Sequence, residues 1–182
     1  MQTHVDRNTW AELAQKLPSK KNPEDYKKRT ELFNLFDPNG NGYLSLAEVD
    51  KGIRDILRCD TLFDVKPVIM RAFQAAKNSV KTKSKYGDDY IERCEFRLLL
   101  VYLRQYFEYW VMFQRIDKNF DRRVSLEEFK QAVPEINKWG VTITNPEKSF
   151  QQIDKNGGGM ILFDEFCQWA IKQSLDLEDD DD

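Results

Sequence analysis

A twelve-residue segment recurs three times in this chain, each copy placing oxygen-bearing side chains at one spacing. The first runs from Asp37 to Glu48, with Asp37, Asn39, Asn41, Ser45 and Glu48 at positions 1, 3, 5, 9 and 12 and the Tyr43 carbonyl at position 7. The second runs from Asp117 to Glu128 and repeats the set as Asp117, Asn119, Asp121, Ser125 and Glu128, with the Arg123 carbonyl at position 7. The third, Asp154 to Glu165, keeps Asp154, Asn156, the Met160 carbonyl and Glu165, while Gly158 and Leu162 leave two ligand places bare. A hard cation such as Ca²⁺ takes six to eight oxygens, and a tight loop offering five side chains and a carbonyl comes close to supplying them.

Local chemistry ties each loop to the helix after it. Ser45 and Glu48 form an S-x-x-E capping box, so the residues that would hold the ion also start the next helix. Gly42 supplies the positive φ that the turn needs. At the equivalent place the second loop has Arg122, at a cost on the order of 1 kcal/mol. Three carboxylates there, against two in the first loop, should offset it. The third loop must order three successive glycines and is expected to be the weakest, at about 10⁻⁴ M. The expected order of affinity is the Asp117 loop, then the Asp37 loop, then the Asp154 loop.

Such helix-loop-helix units pair, so three copies call for a fourth. Setting Ile91 at position 8 puts Glu95 at position 12 and Ser84, Tyr86, Asp88 and Glu92 at the other ligand places. Ser and Tyr are poor calcium ligands in the first two places, so this hand is expected to be structural and to bind nothing. Its Ile91 should pair with Leu44 in a short strand ladder, as Val124 should with Ile161. The expected fold is all-α: four units in two paired lobes with short β pairing between loops, preceded by an extra N-terminal helix. The expected divisions are an N-terminal helix and linker over 1–22, one pair over 23–104, a second over 105–173, and an acidic tail over 174–182. Two helices are expected between Cys94 and Ile116, with more apolar residues than one face can use. These would fill a core joining the lobes or cover a partner site.

Composition narrows the function. With His4 as the single histidine there is no second imidazole for a His-rich zinc site and His-based acid–base chemistry is disfavoured, and no nucleophile-plus-base arrangement or phosphate-cradling glycine loop stands elsewhere. The chain is expected not to be an enzyme. No basic recognition helix or stacking motif suggests nucleic-acid binding. Three widely spaced cysteines, no secretory leader and no membrane-spanning run favour an intracellular, cytoplasmic protein. The net charge of −3 conceals six acids in the last seven residues, without which the balance is +3. Basic residues near the start and a cluster at Lys77, Lys81, Lys83 and Lys85 could meet an anionic membrane surface, although a solvated face is the simpler reading.

The loops resemble those of the EF-hand superfamily, and the chain beyond them resembles the calflagins, the flagellar calcium-binding proteins of trypanosomes. The likeness is carried by Trp10 to Pro18, Arg29 to Phe33, Glu95 to Leu100, Ala132 to Pro134 and Asp154 to Gly157, together with the long insertion before the second hand and the non-glycine Arg122. It implies a calcium-responsive protein of a flagellum or cilium that associates with membrane. The acylated Gly-Cys of that family has no counterpart at Met1-Gln2, so lipid anchoring is not carried over. The combined expectation is a Ca²⁺ sensor with up to three ions that changes helix geometry and contacts a protein partner or membrane. A Ca²⁺ buffer with little opening is the alternative, and Mg²⁺ at rest and dimerisation stay open.

Overall fold

Strong helical periodicity interrupted by Asp/Asn/Gly clusters becomes a chain of helices joined through the expected loops. The computed structural model describes residues 5–79 and 89–177. His4, Lys81, Lys83, Lys85, Ser84, Tyr86, Asp88 and the acids from Glu178 onward lie outside the described residues. The chain divides into two compact units, Thr9–Phe107 and a second formed from Glu108 onward together with the first residues.

The N-terminal unit takes in α1 (Arg7–Lys16) from Thr9 onward, and this helix buries Trp10 and Leu13. The Trp10 ring meets Phe107 edge-on at 5.5 Å. Asn22 then caps α2 (Pro23–Phe36) by accepting the Asp25 N–H at 2.7 Å, and Pro23 occupies the first turn, where no N–H is needed. The loop after α2 leads to β1 (Tyr43–Leu44) and α3 (Leu46–Asp55). A short helix α4 (Asp60–Phe63) and α5 (Lys66–Lys77) follow, and β2 (Ile91–Glu92) completes a two-stranded antiparallel ladder with β1. Leu44 stands opposite Ile91, as the sequence predicts.

Between Cys94 and Ile116 the structure corrects the expectation of two helices. One helix, α6 (Arg93–Ile116), runs through all 24 residues, and the boundary between the units falls within it. Every residue from Tyr106 to Phe113 is buried. Over those eight residues no face is left exposed, which accounts for the apolar excess there, whereas Arg97, Tyr102 and Arg104 before them are only half-buried.

In the C-terminal unit, β3 (Arg123–Ser125) pairs antiparallel with β4 (Met160–Leu162), and Val124 meets Ile161 as predicted. Between them lie α7 (Leu126–Asn137) and α8 (Pro146–Ile153), and α9 (Phe163–Gln173) closes the unit. Phe113, Phe163 and Phe166 form an aromatic cluster at its centre. Residues 174–177, expected to begin an acidic tail, instead carry buried Leu175 and Leu177.

Gly52, in α3, is set by packing rather than by backbone freedom. A Cβ there would come within 2.6 Å of the Phe36 ring. Gly52→Ala is therefore expected to destabilise the protein by about 1 kcal/mol net. Overpacking costs about 1–3 kcal/mol and the better helix propensity of Ala returns about 1. Urea denaturation checks the sign, which propensity alone would reverse.

Candidate metal sites

All three candidate loops share a scaffold of side chain-to-backbone hydrogen bonds. In each, Oδ2 of the first Asp accepts the N–H five residues on: Gly42 to Asp37 at 2.9 Å, Arg122 to Asp117 at 2.8 Å and Gly159 to Asp154 at 2.8 Å. Oδ1 of the Asn at position 3 accepts the N–H two residues on: Asn41 to Asn39, Asp121 to Asn119 and Gly158 to Asn156. These bonds curl the backbone around one centre, as Asx turns do. The carbonyl-bearing residues at position 7, Tyr43, Arg123 and Met160, lie in β1, β3 and β4, so the ladders fix their backbone direction.

The turn requires positive φ at two places rather than the one anticipated. Gly40 and Gly42 meet the demand in the first loop, and Gly157 and Gly159 in the third. In the second, Phe120 and Arg122 adopt φ of 58° and 66° without glycine's freedom. Phe120 gave no signal in sequence, since position 4 carries no ligand.

The glutamate at position 12 joins each loop to its exiting helix. In the first loop, Glu48 Oε1 accepts the Ser45 N–H at 3.0 Å, and Ser45 Oγ accepts the Glu48 N–H at 3.2 Å. The same capping box starts α7, where Glu128 Oε1 accepts the Ser125 N–H at 3.0 Å. There Glu128 Oε2 also accepts the Lys118 N–H at 2.8 Å, so one carboxylate spans both ends of the loop. Glu165 does likewise, accepting Leu162 N–H at 3.0 Å and Asn156 N–H at 3.2 Å. Leu162 has no side-chain acceptor to return the cap, so α9 keeps only the backbone half of the motif. The fourth hand repeats the theme: Glu95, fully buried, accepts the Glu92 N–H at 3.0 Å.

The second loop gathers the densest charge. Asp117, Asp121 and Glu128 each place an oxygen within 4.8 Å of the others. Burial pushes the Asp117 carboxyl above the usual aspartate range, against the hydrogen bond from Arg122 N–H, and the charges of Asp121 and Glu128 push it further up. A divalent cation at that centre would relieve both the desolvation and the repulsion. The first and third loops hold two carboxylates each at their ligand places, and at the third Gly158 contributes only its N–H.

The FCaBP EF-hand domain matches residues 13–103, and an EF-hand model matches residues 112–133. The chain is 38% identical over 175 residues to the flagellar calcium-binding protein of Trypanosoma cruzi, covering 95% of this chain and 83% of that one. It is 39% identical to flagellar calcium-binding protein TB-24 of Trypanosoma brucei brucei, covering 99% and 84%. The chain belongs to the flagellar calcium-binding protein family. Among solved structures it is similar to a homolog of programmed cell death 6 protein from Leishmania major Friedlin, at 15% identity and a TM-score of 0.40, over 79% of this chain and 70% of that one. The two family matches include the first and second candidate loops and the hand that ends at Glu95, whereas loop 154–165 lies outside both. No helix among the described residues is long and apolar enough to cross a membrane.

Proposed function

We propose that this member of the flagellar calcium-binding protein family is a calcium sensor that takes Ca²⁺ at loops 37–48, 117–128 and 154–165. Supporting this is the position of Glu128 between the Lys118 N–H at the loop entrance and the Ser125 N–H at the start of α7. A bidentate grip on an ion would draw Oε2 away from Lys118 and couple capture to the angle of α7. Glu165 carries the same double link to α9. The ligands are oxygens only, which suits Ca²⁺ and, for the resting protein, Mg²⁺. A flagellar location and contact with a protein partner or an anionic membrane rest on the kinship with flagellar proteins and on the basic clusters. Nothing in the ligand sets calls for catalysis.

Calorimetric titration of the full chain should give three ions, the 117–128 loop filling first and the 154–165 loop last. An apolar-surface dye added in parallel should change its fluorescence on saturation. An unchanged dye signal with full stoichiometry would make the protein a buffer, and no heat at millimolar Ca²⁺ would remove the calcium reading altogether.

A further inference from the structure

Outside the calcium loops, the N-terminal unit has a cleft of about 500 Å³ between α2 and the first turns of α6. From α2 come Tyr26, Arg29 and Phe33, at intervals of three and four that place them on one helical face; from α6 come Arg93 and, three and four residues after it, Phe96 and Arg97. Phe33 and Phe96, both buried and edge-to-face at 5.3 Å, form the apolar part of the lining. The three arginines supply its charge.

Among the described residues these guanidinium groups are held by neutral acceptors and an aromatic ring rather than by a counterion. Arg29 Nη1 donates to the carbonyls of Pro18 at 3.0 Å and Lys20 at 2.6 Å, and Arg97 Nη1 donates to the Ser19 carbonyl at 3.3 Å. Arg93 donates to the Asn34 side chain and lies over the Phe33 ring at 4.4 Å. Among the described residues no carboxylate lies within 4.0 Å of any of the three, whereas Arg54 pairs with Asp55 and Arg115 with Glu135. Asp25, the acid near the adjoining loop, accepts the Lys20 N–H at 3.0 Å. Lys21 lines a recess that shares Arg29 and Arg97 with this cleft, adding a fourth positive charge.

We propose that this cleft binds a phosphate monoester. Three guanidinium groups braced by backbone carbonyls and an aromatic ring keep donors to spare, and their planar forks match phosphate oxygens. A phosphate monoester carries up to two charges and three acceptor oxygens, against one charge and two oxygens for a carboxylate. Phe33, Phe96 and Tyr26 would face the carbon body of the ligand, as in small-molecule pockets of this volume. The ester group is the same whether it arrives on a soluble molecule or on a lipid headgroup.

The test uses the full chain with calcium chelated, so that phosphate and Ca²⁺ do not bind each other. Phenyl phosphate is titrated calorimetrically, and sedimentation is measured with phosphatidylcholine vesicles with and without phosphatidylinositol 4-phosphate. Binding of phenyl phosphate, weakened about tenfold or more in each of Arg93→Gln and Arg97→Gln, is the expected result and points to a soluble ester. Binding confined to the phosphoinositide vesicles, with the same loss in both variants, supports the proposal with a lipid headgroup as the source. Binding of neither probe overturns it, as does binding that both variants retain, which would belong to the surface lysines. Equal affinity for benzenesulfonate, which has one charge, would overturn the dianion preference. Both arginines lie outside the calcium loops, so unchanged calcium stoichiometry in the variants separates this outcome from a failure of the sensor reading.

Discussion

Replacing Glu128 with Gln should remove one ion from the stoichiometry at micromolar Ca²⁺ and weaken its loop by more than about 100-fold, beyond the 10–100-fold typical of losing an outer-shell partner. The substitution keeps size and one oxygen, so the Ser125 N–H retains an acceptor and α7 keeps its start. What disappears is one of the three negative charges around the centre and the second anionic oxygen of a bidentate ligand. The same change at Glu48 or Glu165 removes one of only two carboxylates at the ligand places of a loop that starts weaker. It should therefore abolish measurable binding there while moving the total heat less. Calorimetry on the three single variants checks the order, and a largest loss from Glu165→Gln would overturn it. Heating the wild-type and Glu128→Gln proteins with and without Ca²⁺ gives a second measure, since a ligand that binds only the folded state raises its stability with the logarithm of concentration over Kd.

The loops were legible because their chemistry is local. A fixed spacing of Asp, Asn, Ser and Glu, with an aliphatic residue at position 8, determined the turn, the capping boxes of Ser45 and Ser125, and the pairing of Leu44 with Ile91 and Val124 with Ile161. What escaped the sequence depends on what surrounds a residue. Phe120 is driven to positive φ by the same Asx geometry that glycine meets elsewhere, and nothing in its side chain announces it. The continuous α6 was hidden because residues 106–113 are buried on every side, so no amphipathic stripe marks one helix rather than two. Arg29, Arg93 and Arg97 share no signal in the sequence, lying 64 residues apart at the nearest between the two helices. Only the fold brings them to one cleft.

A second large effect is expected at the other end of the chain, where an acidic composition concealed two buried leucines. After α9, Ser174 turns through a left-handed conformation with φ of 53°, and the chain returns along its own unit. The Leu175 N–H donates to the Ala170 carbonyl at 3.0 Å, the Asp176 N–H to the Trp139 carbonyl at 3.1 Å and the Leu177 N–H to the buried Glu108 carboxylate at 2.8 Å. Fixing four residues costs about 1–2 kcal/mol each. Each buried leucine returns about 1.5–3 kcal/mol, and the hydrogen bond to a charged group about 1.5–3 more. The strap is thus held by a small margin, and losing either leucine is enough to reverse it. Leu177→Ala should remove about 2–3 kcal/mol, detach residues 174–177 and leave the Glu108 carboxylate without the Leu177 donor. Amide exchange at Asp176 and Leu177 should accelerate at least tenfold while α6 and α9 stay protected, because only the strap opens. Unchanged protection at those two amides would show that the Trp139 carbonyl and the Glu108 carboxylate hold the strap by hydrogen bonds alone, without help from the leucine side chain.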